Sequence, residues 1–480
     1  MVVNRNATDN MKPIKGFVGP AYVDPALKAS NQRCINLLLE VSQNEEKTPI
    51  KHIGVPGLRD LATIGTGATK NYIEVNGELY GAVGLNFGRI ESDLATFTPL
   101  GSFSGTGRIT LVDNGLQVLV IDGLSGFVYD IAAMTWTQIT DPGFVYGATQ
   151  ADFQDGYGIV ALPNSQQFGI SGPYNFLAWD AIDFTSAEGL PDNVSTVVSN
   201  HRILHVLGTG TLELFFNGGD ATFPFVRIDG AFYEVGCSAP YSAAVADDSV
   251  FWLGNNSEGA LAVYRMQGQT PQRISTVALE RELAQYSRID DAFAVGLDIG
   301  RHPIYILTFP TEDKTWCYNA HSGSWLEWLE WVGPSFHRYR LNCLAKAYGK
   351  MLVGDYRDGR MYELTFDEQT NGGDPIRALR TTPNIGKNGR RLKHQRLEIL
   401  METGVGALTG QGYDPHVSLR WSDDGGRTWS NEVSRPIGKM GEYKTRVVYN
   451  RLGQAIDRVY EMTITDPVQR AILGGLLSVA

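Results

Sequence analysis

Between Arg108 and Arg202 the chain has no lysine and no arginine. The same 93 residues carry ten acids: Asp113, Asp122, Asp130, Asp141, Asp152, Asp155, Asp180, Asp183, Glu188 and Asp192. A stretch of that sign offers nucleic-acid phosphate no counter-charge, which excludes an electrostatic grip on DNA in this part of the chain. Cysteine is also scarce. Cys34, Cys237, Cys317 and Cys343 show no CxxC spacing, which argues against a disulfide framework and a thiolate zinc site and points to a reducing compartment. No apolar run approaches the ~18 residues of a membrane helix. The polar segment 1–14 lacks the apolar stretch of a secretory leader. Neither a membrane anchor nor export is expected.

Catalytic signatures are missing as well. There is no HExxH, no GxSxG and no GxxxxGK[ST]. His201 and His205 have the spacing of a helical zinc pair but lack the glutamate, and they stand in an alternating run. Residues four apart on one face of a strand lie ~13 Å from each other, so these read as core or surface histidines. The glycine-rich stretches 65–70 and 404–410 match no dinucleotide fingerprint and read as loops. The expectation is no enzyme, no cofactor and no metal.

What is present is a large core and many turns. The 480 residues are 43% apolar and 10% aromatic, with only 19% charged and 54 glycines. That composition suits an all-β chain, and the length demands either several domains or a radial architecture that grows by repetition. Residues 1–50 read as an irregular arm in which only 34–41 looks strand-like. From 51 to 370 a glycine-centred turn followed by alternating apolar residues recurs around Gly77, Gly126, Gly210, Gly259, Gly323 and Gly359. The alternation puts one face of each segment in a core, and spacings near 40–50 residues predict a β-propeller of six or seven blades. Within it, residues 275–289 predict one short inserted helix, capped by Ser275 or Thr276. Residues 371–376, Asn-Gly-Gly-Asp-Pro-Ile, read as a linker. Beyond them, 377–480 predicts a C-terminal antiparallel β-sandwich.

Charge divides along the same line. The whole chain carries −11, but residues 376–480 carry +6 and the preceding 375 carry −17. Arg377, Arg380, Lys387, Arg390, Arg391, Lys393 and Arg396 form a run with no acid before Glu398. Its candidate partners are phosphate or an acidic protein surface; no aromatic is interleaved, which argues against base stacking. Ser422, Asp424, Gly426 and Trp429 are spaced as Ser-x-Asp-x-Gly-x-Thr-Trp and resemble the Asp box of sialidase-type propellers. This reads as a structural turn, with Asp424 accepting backbone N–H groups and Gly426 free to take positive φ.

The C-terminal stretches 393–406, 417–429 and 447–453 are similar to the packaged-DNA stabilisation protein of short-tailed phages, a tail accessory factor also called the tail hub or nozzle. Shorter upstream pieces agree in order: 55–57, 104–110, 187–192, 211–215, the helix at 275–289, and 315–318 with Trp325. The resemblance implies a virion tail protein assembled in the host cytoplasm. It further implies a hexameric ring below the portal and the tail adaptor that closes or extends the DNA channel. Such a ring retains the packaged genome, lets DNA pass without sequence-specific contact, and anchors a tail needle, fibres or spikes. On this reading Asp113, Asp122, Asp130, Asp141, Asp152 and Asp155 are expected on a channel wall. Lys387, Arg390, Arg391, Lys393 and Arg396 are expected to dock a neighbouring subunit or partner. The alternative is a carbohydrate-binding or glycan-cleaving, sialidase-like tail propeller, which would need paired carboxylates ~5–10 Å apart.

Overall fold

The computed structural model describes residues 11–42, 48–186, 192–220, 223–256 and 258–480. Among these, six consecutive antiparallel meanders follow one another at 69–102, 110–138, 151–186, 194–233, 235–273 and 293–327. A seventh, composite sheet closes the ring. It joins Leu341–Ala347, Lys350–Asp355 and Arg360–Thr365 to Gly57–Thr63, a strand from nearly three hundred residues earlier. The chain is all-β with a propeller, as the glycine-turn pattern predicts.

The turn that repeats is the one between the first two strands of a blade. At six of the seven it is a two-residue hairpin with both residues at positive φ: Asn76-Gly77, Asp155-Gly156, His201-Arg202, Asp247-Asp248, Gly300-Arg301 and Tyr348-Gly349. Such turns match the right-handed twist of the strands they join. Of the six glycines that suggested the repeat, only Gly77, Gly259 and Gly323 adopt positive φ. Gly126 and Gly359 are instead points of close approach, where an added Cβ would meet the Phe144 ring or the Gly65 backbone.

Neighbouring blades are bolted by aromatic residues on alternate strand positions. Phe87 of the first blade stacks on Trp136 of the second with ring centroids 5.2 Å apart, and Tyr80 reaches Tyr129 at 5.8 Å. Each buried ring contributes roughly 1.5–3 kcal/mol by leaving water, and the pairing somewhat more. The inserted helix lies between the fifth and sixth blades. It spans Val277–Leu283, with Thr276 as its cap accepting the Leu279 N–H, and it buries Leu279 and Leu283. It is shorter than the 275–289 expected, because the chain turns immediately after Leu283 to seat Tyr286 against Phe309.

The C-terminal region is a two-sheet sandwich. One sheet orders Val447–Asn450, Leu392–Met401, Ala471–Val479, Ile50–Gly54 and Leu37–Val41; the other orders Cys34–Ile35, Ala378–Thr381, Asp457–Ile464, His416–Ser422 and Val433–Pro436. The N-terminal segment is therefore not an irregular arm. It supplies strands to both sheets, and Cys34–Ile35 also bridges to the last strand of the sixth blade at Glu327. One hydrophobic core runs through all three parts, from Ile304 and Trp328 of the propeller through Leu38 to Val417 and Tyr460 of the sandwich. The segment expected as a linker is a hairpin: Thr370–Asn371 pairs with Asp374–Pro375 across Gly372 and Gly373, both at positive φ. Cys34, Cys237, Cys317 and Cys343 are buried and free.

Candidate docking surfaces and channel

Acid placement divides the six proposed wall residues into two groups. Four are consumed by local turns. Asp122 lies buried between the first two blades, where burial opposes its charge. It nevertheless stays below the ordinary carboxylate range, because the N–H groups of Ser104, Gly105, Leu124 and Ser125 point at it from 2.7 to 3.2 Å. Asp130 accepts the Ala133 N–H, and Asp141 accepts those of Gly143 and Trp179. Asp155 occupies a hairpin turn and pairs with Arg202 at 3.0 Å.

Asp113 and Asp152 differ. Both stand on blade-lining first strands and border a cavity of about 490 Å³ on the propeller axis, together with Gln150, Thr196 and Val245. Burial raises both carboxyls, Asp152 to about 6, although the N–H groups of Ser199 and Phe153 donate to it. The cation-free stretch corresponds to the second and third blades, their connections and the first strand of the fourth blade, Val194–Asn200. Glu188 lies outside the described residues.

The basic run is likewise divided. Lys387, Arg390, Arg391 and Lys393 are exposed on a hairpin that leads into Leu392–Met401, with Asn388 and Gly389 at its tip. Arg396 is half-buried and pairs with Glu398 at 3.1 Å, a carboxylate it shares with Arg446. Arg377 pairs with Glu432 and lies over the Trp331 ring. Arg380 is fully buried and serves the N-terminal segment. The free cationic surface is thus a four-residue tip, not a seven-residue patch.

Around Ser422, Asp424, Gly426 and Trp429 the geometry is that of a closed turn. Asp424 accepts the Ser422 and Thr428 hydroxyls at 2.6 and 2.7 Å and the Thr428 and Arg427 N–H groups at 2.9 and 2.8 Å, which holds its carboxyl well below the usual range. The Ser422 hydroxyl donates to Asp424 and accepts from the Gly426 N–H. Arg420 lies over the Trp429 ring. Unforeseen from the spacing, the turn is also a seat for the N-terminal segment. Asn31 donates to the Gly425 carbonyl at 3.0 Å, and a Cβ on Gly426 would strike that amide.

The buried polar hardware between propeller and sandwich escaped sequence reasoning. Asn36, at positive φ, donates to the carbonyls of Leu329 and Arg377 and accepts the Leu329 N–H. Arg33 grips Glu327 through two nitrogens at 2.9 and 3.0 Å. The one available signal was the pair of cations, Arg377 and Arg380, placed immediately after the hairpin and before any acid. His201 sits in an exposed turn, and His205 is buried with Nδ1 facing the Val198 carbonyl. Among the described residues no three His, Cys, Asp or Glu side chains converge as metal ligands. Nor is any described helix long and apolar enough to cross a membrane.

Two family descriptions match the chain. "Bacteriophage P22 Gp10, beta-propeller" covers residues 31–369, and "Bacteriophage P22 Gp10, beta-sandwich" covers 377–479. No curated protein matches. Among solved structures, the chain is similar to the extracellular domain of a putative hybrid two component system from B. thetaiotaomicron (TM-score 0.44, 8% identity, 74% of this chain and 45% of that one). It therefore spans under half the length of that domain. It is also similar to the N-terminal domain of Nup159 (TM-score 0.41, 10% identity, 70% and 99% covered) and to the Neurospora crassa Pan2 WD40 domain (TM-score 0.40, 8% identity, 62% and 89% covered).

Proposed function

This chain belongs to the Gp10 family of phage DNA-stabilisation proteins, structural components of the phage tail, and from that membership we propose that it is a ring-forming hub below the portal and tail adaptor. In that place it closes or extends the DNA channel, retains the packaged genome, and anchors needle, fibres or spikes. The observation that carries the reading is the match of both family descriptions, in order, across 31–369 and 377–479. The charge layout supports it. A subunit in a closed ring meets its neighbours through two different patches, so opposite charges on separate surfaces fix orientation. The exposed tip Lys387, Arg390, Arg391 and Lys393 is one such patch. The second and third blades, which hold no lysine or arginine, are suited either to receive that tip or to face passing DNA without gripping it.

Its role is structural rather than catalytic. Electron microscopy of the full chain, alone and mixed with portal and adaptor, tests the hub. Six copies around the portal axis are expected. A trimer, or a monomer that ignores the portal–adaptor complex, would overturn it. Sialosides and capsular glycans should be left uncleaved.

A further inference from the structure

We propose that the axial cavity of the propeller is a binding site for a small oxyanion, of phosphate or carboxylate type, held by Arg108 and Gln150. This goes beyond the hub reading, which needs no ligand inside a subunit. The cavity, of about 280 Å³, lies where the lining strands begin and is bordered by Arg108, Asn71, Gln150, Tyr241 and Gly296.

Arg108 is half-buried and lines this cavity. No carboxylate lies within ion-pair distance of it among the described residues. The guanidinium is stacked on the Phe293 ring at 3.7 Å and reached by Tyr241 at 5.7 Å. Its two terminal nitrogens donate to the side chain and the backbone carbonyl of Asn342, both at 2.9 Å. Asn342 is itself fixed by donating to the Thr69 carbonyl. The fork is thus pre-set beside a void. Burial pulls the guanidinium down to about 10, opposed by Cys343 and Tyr241 and helped a little by the Arg338 charge. A partly desolvated charge without a counter-ion gains from an anion placed beside it.

Gln150 is the second, independent observation. It is only 8% exposed, its Oε1 accepts the Thr196 hydroxyl at 3.4 Å, and its Nε2 has no acceptor. A buried donor without an acceptor is rare and costs about 1–3 kcal/mol. It borders the same cavity as Arg108. Asp113 and Asp152 border the adjoining chamber, which shares Gln150, Ala243 and Ala244 with the first. Asp113 accepts the Gly115 turn N–H and Asp152 the Phe153 and Ser199 N–H groups, so the axis is polarised into a cationic and an acidic end. A buried amide donor without an acceptor and a guanidinium bordering one small polar void suit an oxyanion, for which Arg presents a fitting fork.

Calorimetric titration of the full chain with inorganic phosphate, and separately with acetate, tests this against sodium chloride at equal ionic strength. Saturable binding of either oxyanion is expected, with affinity at least tenfold weaker in Arg108→Gln and in Gln150→Glu. Should Arg108→Gln fail to fold, the near-isosteric Gln150→Glu decides alone. A selenate soak should place its anomalous peak within hydrogen-bond reach of Arg108. Absence of binding by both oxyanions, an equal response to chloride, or unchanged affinity in Gln150→Glu would overturn the proposal.

Discussion

Arg380, in a sandwich strand, donates its Nε–H to the carbonyl oxygen of Phe17 at 3.0 Å, although 363 residues separate them. The same guanidinium reaches the carbonyls of Gly16, Pro20 and Arg33 and the side chain of Gln32 at 2.9 to 3.5 Å. Among the described residues no carboxylate pairs with it. A cage of carbonyl dipoles takes the place of water, which is how an unpaired buried charge can persist. Because those dipoles belong to the N-terminal segment, the charge and the segment hold each other in place.

Arg380→Met should therefore cost more than its packing suggests. It strands four carbonyl oxygens inside the protein and unties the segment that feeds strands to both sheets. A loss of about 3 kcal/mol is expected, read as a lowered urea midpoint, with faster amide exchange over residues 16–33. A midpoint equal to wild type would show that the segment is held by its strands alone.

Acid should weaken the fold through buried histidines. His52 accepts the Gly19 N–H, and burial, with the nearby Arg380 charge, pulls it down to about 3. Burial likewise brings His205 to about 4. Both stay neutral in the fold while the unfolded chain protonates below ~6.5, so the unfolded state binds more protons between pH 6.5 and 4. Stability is then complete above pH 6.5 and falls on acidification, by up to ~1.4 kcal/mol per pH unit for each histidine. Asp152 works the other way: its folded pKa is raised, so its contribution is lost as pH rises towards 6. Burial also lowers His394, to about 4, and His302, so four histidines stand against the raised carboxyls of Asp152, Asp113 and Glu330 and leave a net fall towards pH 4. Urea midpoints across pH 7 to 4.5 should show it, and His52→Asn should flatten the slope by one proton. An unchanged slope would remove His52 from the account.

The turn at Asp424 should couple to a distant segment. Asp424→Ala removes the acceptor for the Arg427 and Thr428 N–H groups, and Gly426→Ala forces a Cβ onto the Asn31 amide at a residue with φ 101°. Both variants should speed amide exchange at 427–428 and also proteolysis within residues 20–35, because Asn31 is seated on Gly425. Faster exchange in the turn with an untouched N-terminal segment would mean the turn is only local.

How much of this was legible follows from where the information sits. Blades were readable because strand alternation and tight turns are local. Yet the turns that mark the true period are often not glycine: His201-Arg202 and Asp247-Asp248 hold positive φ without it. Glycine alone therefore does not mark the period. Long-range pairing left no local trace. Cys34–Ile35 forms only a few ladder pairs, with Glu327, Leu379 and Arg380, none within 290 residues. No periodicity can develop over two residues. Charge was readable as a count but not as a location: of seven cations in one run, Arg377, Arg380 and Arg396 turned inward to structural duties.

The four that remain outward give the sharpest test of assembly. Lys387, Arg390, Arg391 and Lys393 are exposed on a hairpin tip. Replacing all four by glutamate should leave folding stability within about 1 kcal/mol, as exposed substitutions usually do. A surface that docks by charge behaves differently under the same change, because like charges now meet. Association between copies, or with portal and adaptor, should slow at least tenfold in low salt, with the gap narrowing as salt screens the field. Sedimentation and association kinetics at two ionic strengths measure both effects. Wild-type assembly by a tip of reversed charge would mean that the ring is joined elsewhere, and attention would pass to the cation-free blades.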